Sequence, residues 1–409
     1  MRVLVLAPQP FYQERGTPIA VRIAVESLSR KLQLSASDPA SIDLLCYHEG
    51  EDIQIPGVRI FRIPAPKALC GIRPGLSVKK LLCDVIFLFS ALSLVWRGRA
   101  NRYSVIHAVE ESVFIAWLIK KVWGIPYIYD MDSSLSLQIT EKWRWCKGLF
   151  PLLNWIEGIA MRGSIAVAPV CDALKTIAND QGSPHTVMLR DVSLLPPTGR
   201  ADIDRNEMLG LRLPPTAPVI LYVGNLEFYQ GIDLLLESFA LIKNHITRPQ
   251  LVVIGGAPAS VTEYQTKAIN LGCGEQVSFL GPRPVADLDA FLSCADILVS
   301  PRIKGNNTPM KIYSYLHSGR ALVATDLPTH QQVLDKDIAM LAQPTADGFA
   351  KGLKALLDDT DLRSRIGKQA RERAQELYTV EAFESQLSSL YDIVTEKISE
   401  GAPTTHSLA

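Results

Sequence analysis

At 409 residues, 47 % hydrophobic and 21 % charged, the chain is sized for two domains with large cores, and its composition excludes general disorder. Its 42 lysines and arginines balance 42 aspartates and glutamates, so no global positive field gathers nucleic acid, and nucleic-acid binding is not expected. Seven scattered cysteines lack any C-x-x-C and seven histidines lack H-x-H or H-E-x-x-H; this argues against a disulfide framework, offers no metal site, and favours a reducing compartment.

The first apolar run, Val3 to Ala7, stops at Pro8; it reads as a buried strand and is too short for a signal-peptide core. Glu14-Arg15-Gly16-Thr17-Pro18 then opens a helix. Further strand-length runs at 42–47, 105–108, 127–131 and 165–169 are each followed by a helical pattern. The longest apolar run, Leu81 to Trp96, is broken by Asp84 and falls short of the ~20 residues of a spanning helix. It is flanked by Lys79, Lys80, Arg97, Arg99 and Arg102. A second apolar and basic stretch runs from Lys142 through Trp143, Trp145 and Lys147 to Trp155 and Ile156. Tryptophans among cations suit a membrane interface, and buried helices with snorkelling ends are the competing reading for 81–96. Two strand ends carry carboxylates, Glu110 and Asp132, placed to meet a polar ligand. A helix cap at Asp132 or Ser133 is the alternative.

Prolines bracket a polar segment between Pro196 and Pro218, which reads as a linker over 196–217. Beyond it the strand–helix alternation resumes with runs at 219–223, 251–254, 277–280, 297–300 and 321–325. Continuous Val/Ile/Leu strands alternating with helices predict an α/β chain of two doubly wound, Rossmann-like domains facing across a cleft. The expected boundaries are 1–195, 218–380, a closing helix over 381–400 and a frayed tail over 401–409.

Three strands of the second half end in glycine: at Gly224, at Gly255 and Gly256, and at Gly281 after Leu280. Glycine lets a ligand approach the backbone, and a following helix N-terminus favours an anion. After the strand ending in Ser300 comes a polar loop, then a helix opening near Pro309 with Lys311 in its first turn. There the helix dipole adds to the lysine's own charge in holding a phosphate.

The order and spacing of these elements over 219–325 resemble the group 1 (GT4-like) glycosyltransferases of GT-B fold. The motifs are strand-Gly-x₆-Gly-x-Asp-Leu-Leu, Val-Val-Ile-Gly-Gly, Val-x-Phe-Leu-Gly and Pro-x-Lys-x₃-Tyr-x₃-Gly. The resemblance implies a hexosyltransferase-type enzyme that moves a sugar from a nucleotide diphosphate to an acceptor with retention, without metal or other cofactor. It assigns the donor to Gly16, Thr17, Gly224, Asn225, Gln230, Gly255, Gly256, Leu280, Pro309, Lys311 and Ser314, with Lys311, Asp132 and Glu110 as catalytic candidates. The chain departs from the family where an arginine and a lysine usually stand, at Asn225 and Gln230, and where a ribose-binding glutamate usually stands, at Ser314. Partners expected are the sugar donor and a sugar or lipid-linked acceptor, as in polysaccharide assembly, in the cytoplasm and in peripheral contact with the inner membrane face. A nucleotide-sugar epimerase and a catalytically silent sugar-nucleotide-binding module are the alternatives.

Overall fold

The computed structural model describes residues 1–14, 16–35, 42–72, 77–98, 103–196, 204–305 and 307–400. Within it the chain divides into two compact units, one of residues 1–190 with 383–409 and one of residues 191–382. The 401–409 tail and residues 197–203 of the linker lie outside the described residues.

The first unit holds a six-stranded sheet: β1 (Val3–Leu6), β2 (Ile42–Cys46), β3 (Val58–Arg62), β4 (Val105–Val109), β5 (Tyr127–Met131) and β6 (Ala166–Pro169). Its order is β3-β2-β1-β4-β5-β6, and every pairing is parallel. The second unit repeats this with β7 (Val219–Val223), β8 (Gln250–Ile254), β9 (Val277–Gly281), β10 (Ile297–Ser300), β11 (Ala321–Thr325) and β12 (Met340–Ala342), ordered β12-β11-β10-β7-β8-β9. All of its pairings are parallel as well.

Parallel strands need crossovers, and here helices supply them, so the central strands are buried on both faces and must be apolar throughout. Val3, Leu4, Leu6, Val105, Ile106, Val219, Ile220 and Leu298 are all fully buried. Both units are therefore doubly wound, with the strand order reversing at the central strand, where ligands of such sheets gather at the carboxyl ends.

The helix Val380–Glu400 belongs, from Phe383 on, to the first unit. Its Tyr391 hydroxyl lies 3.0 Å from His107 Nδ1 in the middle of β4, and Lys31 donates to Asp392 at 2.7 Å. Residues 204–217, within the segment read as a linker, carry a short helix, Arg205–Leu209, capped by Asp204. Leu209 and Leu213 pack into the second unit's core.

One buried charge ties the amino-terminal end of the first sheet. Asp43, in β2, accepts from Arg2 at 2.9 Å, from Arg59 of β3 at 2.8 and 3.0 Å, and from the Tyr103 hydroxyl at 2.6 Å. Burial pushes its pKa up, but the hydrogen bonds from Arg59, Tyr103 and Arg2 outweigh burial and hold it below the ordinary value. A carboxylate with a lowered folded pKa stabilises the fold above its unfolded pKa and loses that contribution as pH falls through the folded value. Asp43→Asn should therefore destabilise the first unit by about 1–3 kcal/mol at neutral pH. Urea unfolding should show the gap between variant and parent narrowing toward acid pH.

Candidate functional site

At the carboxyl edge of the second sheet, β7, β8 and β9 end side by side in glycine. Gly255 has φ of 109°, and a Cβ there would collide with the carbonyl oxygen of Gly224. Only glycine lets these two strand ends lie flush, which leaves a shallow edge where a ligand meets backbone rather than side chains. The Gly224 N–H donates to Ile254 O at 3.0 Å and the Gly255 N–H to Gly281 O at 2.8 Å, so the edge is held rigidly.

Two basic side chains lie in this region of the second unit. Lys311 opens the helix Lys311–His317, and its Nζ lies 3.8 Å from the centroid of the Tyr222 ring and 3.3 Å from Gln230 Oε1. A Cβ on Gly224 would sit 3.3 Å from the same Nζ, which places the ammonium directly on the glycine edge. Arg302 follows β10. It is buried, lies over the Tyr229 ring at 5.3 Å, and donates to Lys304 O at 2.6 Å and Asn307 O at 3.2 Å.

Among the described residues neither cation forms an ion pair. Burial drives the Lys311 pKa well down, and the Arg302 charge drives it further; burial lowers Arg302 too. Behind them His330 is pushed down to about 4 by burial, with the Arg302 and Lys311 charges acting the same way. It is neutral at physiological pH: its Nδ1–H donates to Thr325 O at 2.8 Å, and its Nε2 accepts from the Ser300 hydroxyl at 2.9 Å. A buried cation pair without a counter-ion is costly, and an anion bound there relieves both the desolvation and the mutual repulsion.

The structure gathers Gly224, Gln230, Gly255, Gly256 and Lys311 around one edge. Asn225 is exposed, with its amide 3.5 Å from the Tyr229 hydroxyl. Leu280 lies in β9, and buried Pro309 accepts the Ile312 N–H one residue into the helix that Lys311 opens. Ser314 is not brought to this edge. It is buried, and its hydroxyl accepts the Leu194 N–H at 3.0 Å, within the second unit's interior. Arg302 is absent from the sequence-derived candidates. The available signal was an arginine directly after the Ser-Pro that ends a buried strand.

In the first unit, Gly16 is the first residue of the helix Gly16–Ser35, with open space where a Cβ would be, and Thr17 follows it. The carboxylates form a separate cluster at the ends of β4 and β5. Glu110 takes a left-handed φ of 50°, its carboxyl accepts from the Ser133 hydroxyl at 3.3 Å, and burial raises its pKa. Lys80 is ion-paired with Glu111 and lies 3.7 Å from Asp84, which in turn accepts from the Tyr47 hydroxyl. Asp132 stands in the turn after β5, but the N-cap of the next helix is Ser134, and buried Glu157 accepts that helix's first N–H groups at 3.0 and 3.2 Å.

Comparison with known proteins bears on both units. Residues 205–373 match the family model described as glycosyl transferases group 1. The chain is 25 % identical over 388 residues to the D-inositol 3-phosphate glycosyltransferase of Corynebacterium efficiens, covering 86 % of this chain and 85 % of that one. Among solved structures, sucrose-phosphate synthase from Thermosynechococcus elongatus superposes with a TM-score of 0.75 at 18 % identity, covering 97 % of this chain and 99 % of that one. The Anabaena protein Alr3699/HepE, solved in complex with UDP and glucose, gives 0.72 at 15 % identity, covering 96 % and 99 %. These structures share the GT-B fold.

The lowered Lys311 pKa has a measurable consequence. Across the window between its folded and unfolded pKa values the native chain binds fewer protons than the unfolded chain, so stability rises with pH there and the cost is complete below it. Lys311→Met should raise the ligand-free melting temperature at neutral pH by about 2–4 °C, the equivalent of roughly 1 kcal/mol in a domain of this size. It should also abolish the further rise that pyrophosphate gives the parent. Scanning calorimetry with and without pyrophosphate checks both signs.

Proposed function

We propose, on the premise that residues 205–373 form a group 1 glycosyl transferase domain, that this chain transfers a hexosyl group from a nucleoside diphosphate to an acceptor with retention of configuration. The single observation that carries the reading is the unpaired cation pair, Lys311 and Arg302, at a glycine edge of the second sheet. Charge grows on the diphosphate as the glycosidic bond breaks, and preorganised donors that meet it lower the barrier most.

In this reading Lys311 and Arg302 hold the leaving diphosphate, and Gly224, Gly255, Gly256, Leu280 and Pro309 shape its bed. Asn225 and Gln230 act as neutral donors in place of the family's usual cations. With two protein cations present, the leaving group is neutralised by side chains rather than by a metal ion. Ser314 keeps a supporting place through its bond to Leu194. The helix start at Gly16 and Thr17 suits an anionic part of a substrate. Glu110, with its raised pKa, and Asp132 suit the hydroxyls of a sugar or acceptor.

The acceptor is proposed to be lipid-linked, at the cytoplasmic face of a membrane. Among the described residues no helix is long and apolar enough to cross a bilayer. The helix Val78–Arg97 nevertheless exposes Val78, Leu81, Leu82, Val85, Phe89 and Trp96. The helix Phe150–Gly163 exposes Leu152, Trp155 and Ile156, and the helix Ser112–Trp123, packed between the two, adds Leu118 and Val122. Apolar residues recurring at three- and four-residue steps, with Lys79 and Arg97 at the ends of the stripe, match a surface that rests in a headgroup layer. Arg99 and Arg102, also noted in this stretch, lie outside the described residues.

Two measurements test the proposal. Lys311→Ala should reduce nucleotide release from the preferred sugar donor by about a hundredfold or more, and Arg302→Ala by a comparable factor, while Arg283→Ala stays near the parent rate. Steady-state kinetics with UDP-, GDP-, ADP- and CDP-sugars, with and without a lipid extract, would read this, and turnover unaffected by either substitution would refute the assigned site. For the membrane face, the parent should co-sediment with anionic vesicles at low salt. The double change Leu82→Glu and Phe89→Glu should leave the protein in the supernatant with its nucleotide affinity intact.

A further inference from the structure

The first unit holds a second group of chemistry-bearing side chains with no part in the reading above. His48 and Glu49 lie just beyond the end of β2, and Cys70 follows the short turn Lys67–Leu69 after β3. The fold brings these residues, 22 positions apart in sequence, to one point. Cys70 Sγ lies 3.5 Å from His48 Nε2, Glu49 Oε1 lies 3.8 Å from the same nitrogen, and all three ligand atoms fall within 4.8 Å of one another.

These spacings suit a small divalent cation. Zinc bonds of about 2.3 Å to sulfur and about 2.0–2.1 Å to nitrogen, at tetrahedral angles, separate the two ligand atoms by about 3.5 Å. The donor set of one thiolate, one imidazole and one carboxylate is of the type zinc accepts, with a fourth position left for water or another oxygen. The ligands are also held in place without an ion. The Glu49 carbonyl accepts from the Phe11 N–H at 3.1 Å and from Arg62 at 2.8 Å, and the Cys70 carbonyl accepts from Lys79 at 2.8 Å. The Ile72 N–H donates to Glu49 Oε1 at 3.3 Å, which joins the two ligand-bearing segments directly. Both segments are thus preorganised, which limits the ordering that binding would require.

We propose that His48, Glu49 and Cys70 form a binding site for a zinc-type cation that clips the segment after β2 to the segment after β3. Binding requires the Cys70 thiol to lose its proton to solvent, so uptake of the cation releases a proton. This inference does not rest on the transferase reading, since it concerns a different edge of the chain and different chemistry.

Cobalt(II) provides the direct test, because a thiolate ligand gives a charge-transfer absorption in the near ultraviolet and a four-coordinate ion gives strong visible bands. Titrating the full chain with cobalt should produce both, at one equivalent, and zinc should then abolish them. Cys70→Ser should remove the charge-transfer band, and His48→Ala should weaken binding by at least about tenfold, a loss no smaller than that for removing an outer-sphere partner. Because Cys70 is exposed, the serine variant should melt with the parent in the absence of metal, which separates lost ligation from lost folding. A parent protein without the charge-transfer band, or a band of equal strength in Cys70→Ser, would overturn the proposal.

Discussion

The burial of Lys311 and Arg302 without a carboxylate partner is the constraint on which the second unit's site depends. Two basic groups set against tyrosine rings, with no ion pair among the described residues, have lost water without gaining a counter-ion. A fold tolerates such an arrangement only if the surrounding core over-determines it. Here the lysine is carried on a helix whose Ile312, Tyr313, Tyr315 and Leu316 are fully buried, and the Tyr315 hydroxyl donates to Val223 O and receives the Val223 N–H. The arginine is fixed by three bonds to its own loop. The strain is electrostatic rather than conformational, so an anion is the ligand that relieves it.

The same economy appears in the neighbouring backbone. Close apposition of Gly224 and Gly255 removes side chains from the edge, and neutral His330 fills the space behind Arg302 without adding a third charge. The first unit is built oppositely. Its carboxyl edge is crowded with acids, and Lys80, bonded to Glu111 and near Asp84, partly offsets them. The two units thus present edges of opposite sign on frameworks of the same strand order.

Much of this was legible in the sequence because buried parallel strands leave an unambiguous trace. Ten of the twelve strands are visible as apolar runs, as are the glycines that end them and the lysine that opens the helix Lys311–His317. The two strands missed, β3 and β12, each lie at one edge of their sheet. Val-Arg-Ile-Phe-Arg alternates and β12 has three residues, so neither shows the continuous apolar signature. Arg302 was not legible because a lone arginine after a strand has no periodicity, and its meaning comes only from the loop that folds it over Tyr229. The surroundings of Ser314 were not legible for the complementary reason. Its spacing from Gly319 matches a family position, but the residue that decides what its hydroxyl does is Leu194, 120 positions away. The His48, Glu49 and Cys70 cluster is invisible to spacing rules for the same cause, since β3 intervenes between its ligands.

The central claim is that a bound diphosphate raises the Lys311 pKa that burial has lowered. It is tested most directly by titrating UDP into the protein in buffers of different ionisation enthalpy, at a pH well above the phosphate's own second pKa of about 6. Where pH lies between the Lys311 pKa values of the free and bound protein, binding should bring net proton uptake in the parent and none in Lys311→Met. Tight binding with no proton uptake at any pH across the neutral and alkaline range would contradict the account. So would uptake that persists undiminished in Lys311→Met.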